Sequence, residues 1–279
     1  MRYRKKQTGH RMRILSRVLM TALLLMGLSA CSAEEVPTTE PIPPNLYDPE
    51  AFYTENGFLH YGNQDHRVGI DVSVYQGIID WQAVRNAGVE FAVIRAGYRG
   101  STVGDLYEDE QFSYNLEEAR KAGIHVGVYF FSQALTPEEA VEEAEFVCGL
   151  LGDKKPDLPV YFDWEFNGGR IPSAYDVPLT DCASAFCREV EARGYEAGIY
   201  FNQDFGYHHF RLRELQDYHL WLAEYGEIPS FKYHFDCLQY SDSGTVPGIE
   251  TPVDLDLLFI EEPAEELPED TTEQKKSPA

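Results

Sequence analysis

The stretch 160–165, with the sequence VYFDWE, carries two carboxylates at the end of an apolar run. β-Branched and aromatic residues dominate its first half, which is typical of a buried strand. Side chains alternate faces along a strand, so Asp163 and Glu165 point to the same side. Two acids at the end of a buried strand are costly unless they are paired, hydrogen-bonded or used chemically. The pattern indicates either carboxylates placed for acid–base chemistry or a strand end that has reached solvent.

Strands that alternate with helices surround this stretch. We predict eight strands, at 68–72, 91–96, 125–131, 160–165, 196–201, 218–225, 235–241 and 253–257. We predict five helices, at 79–87, 111–122, from Thr136 onward, 176–193 and 210–216. Such alternation is typical of a parallel sheet with helices outside it. Because the last three strands have no long helix between them, the fold class predicted is α/β, an irregular TIM-like (β/α)5(β)3 barrel of eight strands and five helices. Barrel enzymes carry their chemistry at the C-terminal ends of the strands.

The first thirty residues are predicted to be a leader outside this domain. They hold seven Lys and Arg residues, no acid, and an apolar run at 18–28 that is short for a membrane span and suits a secretory signal. The sequence LSAC at 28–31 resembles a bacterial lipobox, although an ordinary signal peptide with a stray cysteine would also fit. We therefore expect a lipoprotein signal peptide at 1–30 and an extracytoplasmic protein anchored to the bacterial membrane through lipid on Cys31.

Charge and composition divide the remaining chain. Without the leader, 16 basic and 47 acidic residues remain, a net charge of −31 that argues against nucleic acid as a partner. We expect a Pro-rich tether leading into the domain at 31–66, extended to about residue 50, with a short strand possible at 58–61. The barrel should occupy 67–260, and the polar 261–279 should be an acidic disordered tail.

Ordered motifs along the domain resemble the glycoside hydrolase family 25 lysozymes, also called N-acetylmuramidases. They are GIDVS at 69–73, YQG at 75–77, IDW at 79–81, FAVIRAGY at 91–98, GVYFF at 127–131, YFDWE at 161–165, GIY at 198–200, LWLA at 220–223, QYS at 239–241 and VDLD at 253–256. The resemblance implies the same irregular barrel and cleavage of the β-1,4 bond between N-acetylmuramic acid and N-acetylglucosamine in peptidoglycan. Two positions depart from the family pattern. The last motif usually ends in Asn where Asp256 stands, and many members have an acidic turn where this chain has Ala96 to Arg99.

The resemblance also implies roles for the acids. Glu165 matches the general acid, which must hold its proton at working pH, with Asp163 and Asp71 as the supporting carboxylates whose charges raise its pKa. Asp163 would also orient the N-acetyl group of the substrate as an internal nucleophile. Sugar rings present apolar faces to aromatic side chains, although core packing is the alternative for each aromatic. The substrate-binding residues expected are Asp254, Tyr129, Tyr200, Tyr98, Trp221, Tyr225 and Gln239.

Other chemistry finds little support in the sequence. The eight histidines show no metal spacing, and no Cys-x-x-Cys, Walker loop, dinucleotide fingerprint or Gly-x-Ser-x-Gly motif occurs. We therefore expect no metal and no cofactor, peptidoglycan glycan strands as the partner, and a monomer. Two alternatives stay open, namely a lipoprotein that binds glycan without cutting it and a hydrolase of another N-acetylated glucan such as chitin.

Overall fold

The computed structural model describes residues 41–170 and 173–260. The predicted signal peptide at 1–30, the predicted lipidation site at Cys31, the first part of the tether and the tail at 261–279 lie outside these residues. Within the described ranges, no helix has the length and apolar character needed to cross a membrane.

The described chain contains eleven strands and five α-helices. In chain order the strands are β1 (Phe52–Glu55), β2 (Phe58–Tyr61), β3 (His66–Val72), β4 (Phe91–Arg99), β5 (Leu106–Glu108), β6 (His125–Ser132), β7 (Val160–Trp164), β8 (Ala197–Asn202), β9 (His219–Ala223), β10 (Cys237–Gly244) and β11 (Val253–Phe259). The helices are α1 (Trp81–Asn86), α2 (Phe112–Lys121), α3 (Pro137–Leu151), α4 (Leu179–Ala192) and α5 (Gln203–His208).

Eight of these strands close into a barrel. The sheet order is β3-β11-β10-β9-β8-β7-β6-β4-β5, and a further pairing of β3 with β4 closes it, while β5 adds to the edge of β4. The neighbouring barrel strands are parallel except for β11, which is antiparallel to both β10 and β3. The predicted irregular barrel of eight strands and five helices is therefore confirmed.

Local capping explains where two of the predicted helices begin. The Asp80 carboxylate accepts the Ala83 backbone N–H at 3.0 Å and starts α1. Thr136 accepts the Glu139 N–H at 3.3 Å, with Pro137 in the first position of α3. These side chains satisfy N–H groups that the helix itself cannot pair, which is why the sequence located both starts.

The position predicted for the fifth helix is wrong. The α-helix lies earlier, at α5, and the predicted span 210–216 contains only a short 3-10 turn, Leu212–Glu214. Asn202 caps α5 by accepting the Phe205 N–H at 3.0 Å. The sequence did not reveal this helix because Gly206 lies inside it, and glycine disfavours helices. It is required there since a Cβ would come within 2.8 Å of the Phe201 and Phe231 rings.

The barrel separates two apolar layers. Residues that point inward along β7 include Tyr161 and Asp163, whereas Phe162 and Trp164 pack in the outer layer beneath the helices. The Trp164 ring lies 5.7 Å from that of Phe205 on α5, and its indole N–H donates to the Ala134 carbonyl at 2.9 Å. Trp164 therefore faces away from Asp163, as the alternation of side chains along a strand requires.

The segment before β3 packs on the barrel over more of its length than a tether would. The Tyr47 ring stacks on Phe259 of β11 at 3.9 Å, and the Leu59 N–H of β2 donates to the Tyr240 hydroxyl of β10 at 3.1 Å. β1 and β2 form a hairpin whose two-residue turn has positive φ at Asn56 and Gly57, the geometry of a tight primed turn. Packing thus begins earlier than the predicted tether boundary near residue 50. No helix lies between β9, β10 and β11, so this segment covers the apolar outer face that these strands would otherwise expose.

Candidate active site

A cavity of about 240 Å³ opens at the C-terminal mouth of the barrel. Its lining consists of Asp71, Ser73, Tyr75, Gln76, Arg95, Tyr129, Phe131, Asp163, Glu165, Tyr200, Trp221, Tyr225, Gln239 and Asp254. Nine of the ten residues predicted to be catalytic or substrate-binding are in this set; Tyr98 is not.

Three strands bring the acids together. Asp71 lies on β3 and Asp254 on β11, and the antiparallel register places these two residues directly opposite each other. Asp163 lies on β7, on the far side of the barrel, and Glu165 follows one residue after that strand ends. All four point toward the mouth because they occupy inward positions or strand ends on the same side of the barrel.

A chain of hydrogen bonds fixes Asp71, Gln239 and Tyr200, which form the floor of the cavity. The Gln239 Nε2 donates to Asp71 Oδ2 at 2.8 Å. The Gln239 Oε1 accepts the hydroxyl of Tyr200 at 2.9 Å and that of Tyr225 at 3.4 Å. The amide therefore has its nitrogen toward the carboxylate and its oxygen toward the two phenols. Burial raises the pKa of Asp71 well above its ordinary value, and the charges of Asp256 and Asp254 add to this effect.

Asp256 lies beneath this floor. Its side chain is fully buried, and its Oδ1 accepts the indole N–H of Trp221 at 2.9 Å. Trp221 is itself only 1 % exposed and packs against Tyr161 and Tyr200 inside the barrel, so only its edge reaches the cavity. The sequence left the role of Asp256 undefined, and the structure gives it contacts to the floor of the site.

Arg95 is the single basic side chain among the cavity-lining residues, and the sequence analysis assigned it no role. Its Nε donates to the buried Asp109 carboxylate at 2.8 Å, and its guanidinium carbon lies 5.0 Å from the centre of the Tyr75 ring. A charged residue in phase with the inward-facing Phe91 and Val93 was an available signal, since such a group needs a partner. The sequence analysis also gave no role to four further lining residues, Ser73, Tyr75, Gln76 and Phe131.

The pKa values of the acids at the mouth are raised by different neighbours. Partial desolvation in the cavity and then the charge of Asp254 raise the pKa of Glu165, although the residue as a whole is exposed. Burial and the charge of Asp242 raise the pKa of Asp254 to about 6. The sequence analysis expected the charges of Asp163 and Asp71 to raise this pKa, whereas the charge that acts on Glu165 is that of Asp254.

Asp163 has an unsatisfied oxygen. Burial first, then the charge of Glu165, raise the pKa of Asp163 well above its ordinary value, while Arg95 opposes that change. The side chain is 4 % exposed, and Oδ1 has no hydrogen-bond partner among the described residues. A buried acceptor without a donor is costly, and such a group in a cavity is suited to a ligand N–H or O–H.

The structure does not bring Tyr98 into the cavity. β4 continues past the predicted end at residue 96 and pairs with β5, which the sequence did not reveal, so that Tyr98 lies opposite Tyr107. The two rings stack with centroids 5.3 Å apart. One extra residue in β4 relative to β6, Ala96, changes the alternation of side chains just before this point.

A larger cavity, of about 640 Å³, lies outside the barrel against α1 and α2. Its polar groups already serve the fold, because Asp80 caps α1 and Glu118 pairs with Lys121 at 2.8 Å. The smaller cavity at the barrel mouth instead gathers acids with raised pKa values from several strands, so it is the candidate active site.

Known proteins resemble this chain over the same domain. Residues 70–249 match the family model described as Glycosyl hydrolases family 25. An autolytic lysozyme from Clostridium acetobutylicum is 30% identical over 189 residues, covering 67% of this chain and 54% of that protein. Lysozyme M1 from Streptomyces globisporus is 29% identical over 201 residues, covering 67% of this chain and 65% of that protein. The chain thus spans between about half and two thirds of the length of these relatives.

Solved structures share the fold. A family 25 glycosyl hydrolase from Bacillus anthracis has a TM-score of 0.59 and 25% identity, covering 73% of this chain and 93% of that one. The modular autolysin LytC from Streptococcus pneumoniae, solved in complex with a synthetic peptidoglycan ligand, has a TM-score of 0.61 and 22% identity, covering 75% of this chain and 52% of that one. From the family match over most of the barrel, this chain belongs to glycosyl hydrolases family 25.

Proposed function

We propose that this protein is a peptidoglycan hydrolase that cleaves the β-1,4 bond between N-acetylmuramic acid and N-acetylglucosamine. The observation that carries the proposal is Glu165 at the barrel mouth, where burial and Asp254 raise its pKa. Cleavage of a glycosidic bond needs a proton donor at the leaving oxygen, and a carboxylic acid with a raised pKa holds that proton near neutral pH. Glu165 is the general acid.

Asp163 orients the acetamido group of the substrate. Its partnerless Oδ1 can accept the N–H of the acetamido group next to the scissile bond. That hydrogen bond turns the acetamido oxygen toward the anomeric carbon, which it attacks as Glu165 protonates the leaving oxygen. Water then opens the cyclic intermediate, and the Glu165 carboxylate takes the proton of that water. Such substrate-assisted routes are known exceptions to the scheme with two catalytic carboxylates.

The shape of the cavity fits a glycan that lies mostly along the rim. Its volume of about 240 Å³ is below the range of about 300–1,000 Å³ typical of sites that enclose a whole small ligand. Tyr75 is 75% exposed and Tyr225 57% exposed where they line the mouth. Their rings offer flat apolar area and a polar tip to sugar faces. Tyr129, Tyr200 and Gln239 lie deeper and shape the cavity itself.

The proposal includes a membrane anchor. The sequence LSAC at 28–31 supports lipid attachment at Cys31 and an extracytoplasmic location. A net charge of −31 without the leader gives the protein no electrostatic attraction to an anionic wall, so a covalent lipid would be what keeps it near peptidoglycan.

Mass spectrometry of the fragments released from purified peptidoglycan tests this function. The parent protein should release muropeptides with new reducing ends on muramic acid. Glu165→Gln keeps the shape and removes the titratable proton, so the rate should fall by about 10² or more while fragment binding survives. New reducing ends on glucosamine, or release from chitin alone, would contradict the bond specificity. Binding without any release by the folded parent protein would favour the non-catalytic alternative.

A further inference from the structure

Gln133 contacts the proposed general acid from the neighbouring strand. The parallel pairing of β6 with β7 ends at Ser132 and Trp164. Gln133 and Glu165 are the next residues along these strands, and the Gln133 Nε2 donates to the backbone carbonyl of Glu165 at 2.9 Å. The residues that follow the acid, 166–169, lie largely at the surface and give its backbone little packing support. A side chain therefore continues the contact between the two strands where the backbone pairing stops.

The contacts of the Gln133 amide fix its orientation. The same Nε2 also donates to the carbonyl of Ser132 at 2.8 Å, so both of its partners are acceptors and the group that faces them must be the NH2. The side chain is fully buried, and its Oε1 has no hydrogen-bond partner among the described residues. A buried, unsatisfied oxygen costs stability that an apolar side chain would not lose, so the amide contributes here through its N–H groups.

Glu143 of α3 fixes the turn that carries Gln133. Its Oε2 accepts the Ser132 hydroxyl at 2.5 Å, and its Oε1 accepts the Gln133 backbone N–H at 3.4 Å. The same Oε1 accepts the Nε–H of the buried Arg99 at 2.7 Å. The Ser132 hydroxyl oxygen in turn accepts the Ala134 N–H at 3.1 Å. This turn is thus held by a buried network of side chains, which leaves the Gln133 amide little freedom to move.

We propose that Gln133 is a positioning residue of the site, whose amide holds the backbone of Glu165 so that the carboxyl group stays aimed at the leaving oxygen. Glu143 and Arg99 support this role because they fix the turn on which Gln133 lies. The cavity lining includes Glu165 and none of these three residues, so they act on the reaction through the acid. The kinetic consequence rests on the proposed hydrolase function, whereas the effect on the position of Glu165 does not.

Gln133→Met is the informative variant, because it keeps the length of the side chain and removes both N–H donors. The Glu165 carbonyl then loses its contact, and kcat on soluble peptidoglycan fragments should fall about tenfold, which is less than the loss expected on removing the acid itself. KM should stay within about twofold of the parent value, because Gln133 does not line the cavity. A parent-like kcat, or a rise in KM that accounts for the whole loss, would overturn the proposal.

Asn115→Leu is the matched control. Asn115 is a fully buried amide on α2 that accepts the Trp81 indole N–H at 3.2 Å, outside the barrel. Its loss should lower the melting temperature and leave the kcat of the folded enzyme unchanged. If Gln133→Met does not fold, Gln133→Asn takes its place, because it keeps a buried amide that is one methylene too short to hold the Glu165 carbonyl; its kcat should also fall about tenfold. A folded control that loses as much kcat as the Gln133 variant would contradict the positioning role.

A double-mutant cycle tests whether Gln133 acts through the carboxyl group of Glu165. In the Glu165→Gln background, Gln133→Met should lower the residual rate less than about twofold, because the acid that it positions is already absent. An equal loss of about tenfold in both backgrounds would refute the proposal. If the parent releases no fragments, the proposed function fails, and crystal structures of the parent and of Gln133→Met still decide the inference. Glu165 should then shift while Trp164 stays in place, and an unchanged Glu165 would overturn the positioning role.

Discussion

Removing the charge of Asp254 should make Glu165 release its proton at lower pH. Asp254→Asn keeps the size of the side chain and removes the neighbouring charge that raises the pKa of Glu165. The pKa of Asp254 is about 6, so this group is mostly ionised at pH 7 and its charge acts on Glu165 there. In the variant, the acid form of Glu165 is lost at lower pH, and the basic limb of the pH–rate profile moves down.

The size of this shift follows from how the two groups meet solvent. A like charge within about 4–6 Å commonly raises a carboxyl pKa by about one to three units. Glu165 is exposed and Asp254 is only partly buried, so water screens their interaction and its effect is small. We expect the basic limb to move to lower pH, so that the rate at a fixed pH on that limb falls by up to about tenfold.

Initial rates of fragment release from purified peptidoglycan, measured from about pH 4 to about pH 9, give the position of the limb. Asp153→Asn is the matched control, because it removes one negative charge from an exposed residue after α3, at the opposite end of the barrel. Its profile should coincide with that of the parent. A basic limb that stays in place in Asp254→Asn, or moves to higher pH, would refute the assignment of Asp254 as the charge acting on Glu165.

Two further changes test the packing and the anchor. Gly198→Ala would place a Cβ 2.5 Å from the Tyr161 ring, so the free energy of unfolding measured with denaturant should fall by about 1–3 kcal/mol. Gly149→Ala in α3, where nothing lies within 4 Å of the new Cβ, should leave the free energy of unfolding unchanged or raise it by up to about 1 kcal/mol. Equal effects of the two glycine changes would contradict the packing argument. Cys31→Ala should release soluble protein or leave an unprocessed precursor, as seen by fractionation and mass measurement; a processed variant that stays with the membrane like the parent would count against the lipid anchor.

Much of the architecture could be predicted from local patterns. Alternating apolar strands and capped helices depend on residues within a few positions of each other, as at Asp80 and Thr136, so the sequence alone indicated a barrel. The strand-end placement of Asp71, Asp163 and Glu165 followed from the same patterns, because parallel strands in a closed barrel deliver their ends to one mouth.

Only the tertiary structure decided what surrounds each acid. Asp71 and Gln239 are 168 positions apart in the chain, and no local period reveals that their side chains meet. The pairing of β4 with β5 kept Tyr98 out of the cavity, and the close approach of two rings required Gly206 inside α5. Burial and neighbouring charge set a carboxyl pKa, and both depend on contacts between distant strands. The sequence therefore determined which acids reach the mouth of the barrel, whereas the fold determined that Asp254 acts on Glu165 and that Asp256 lies buried against Trp221.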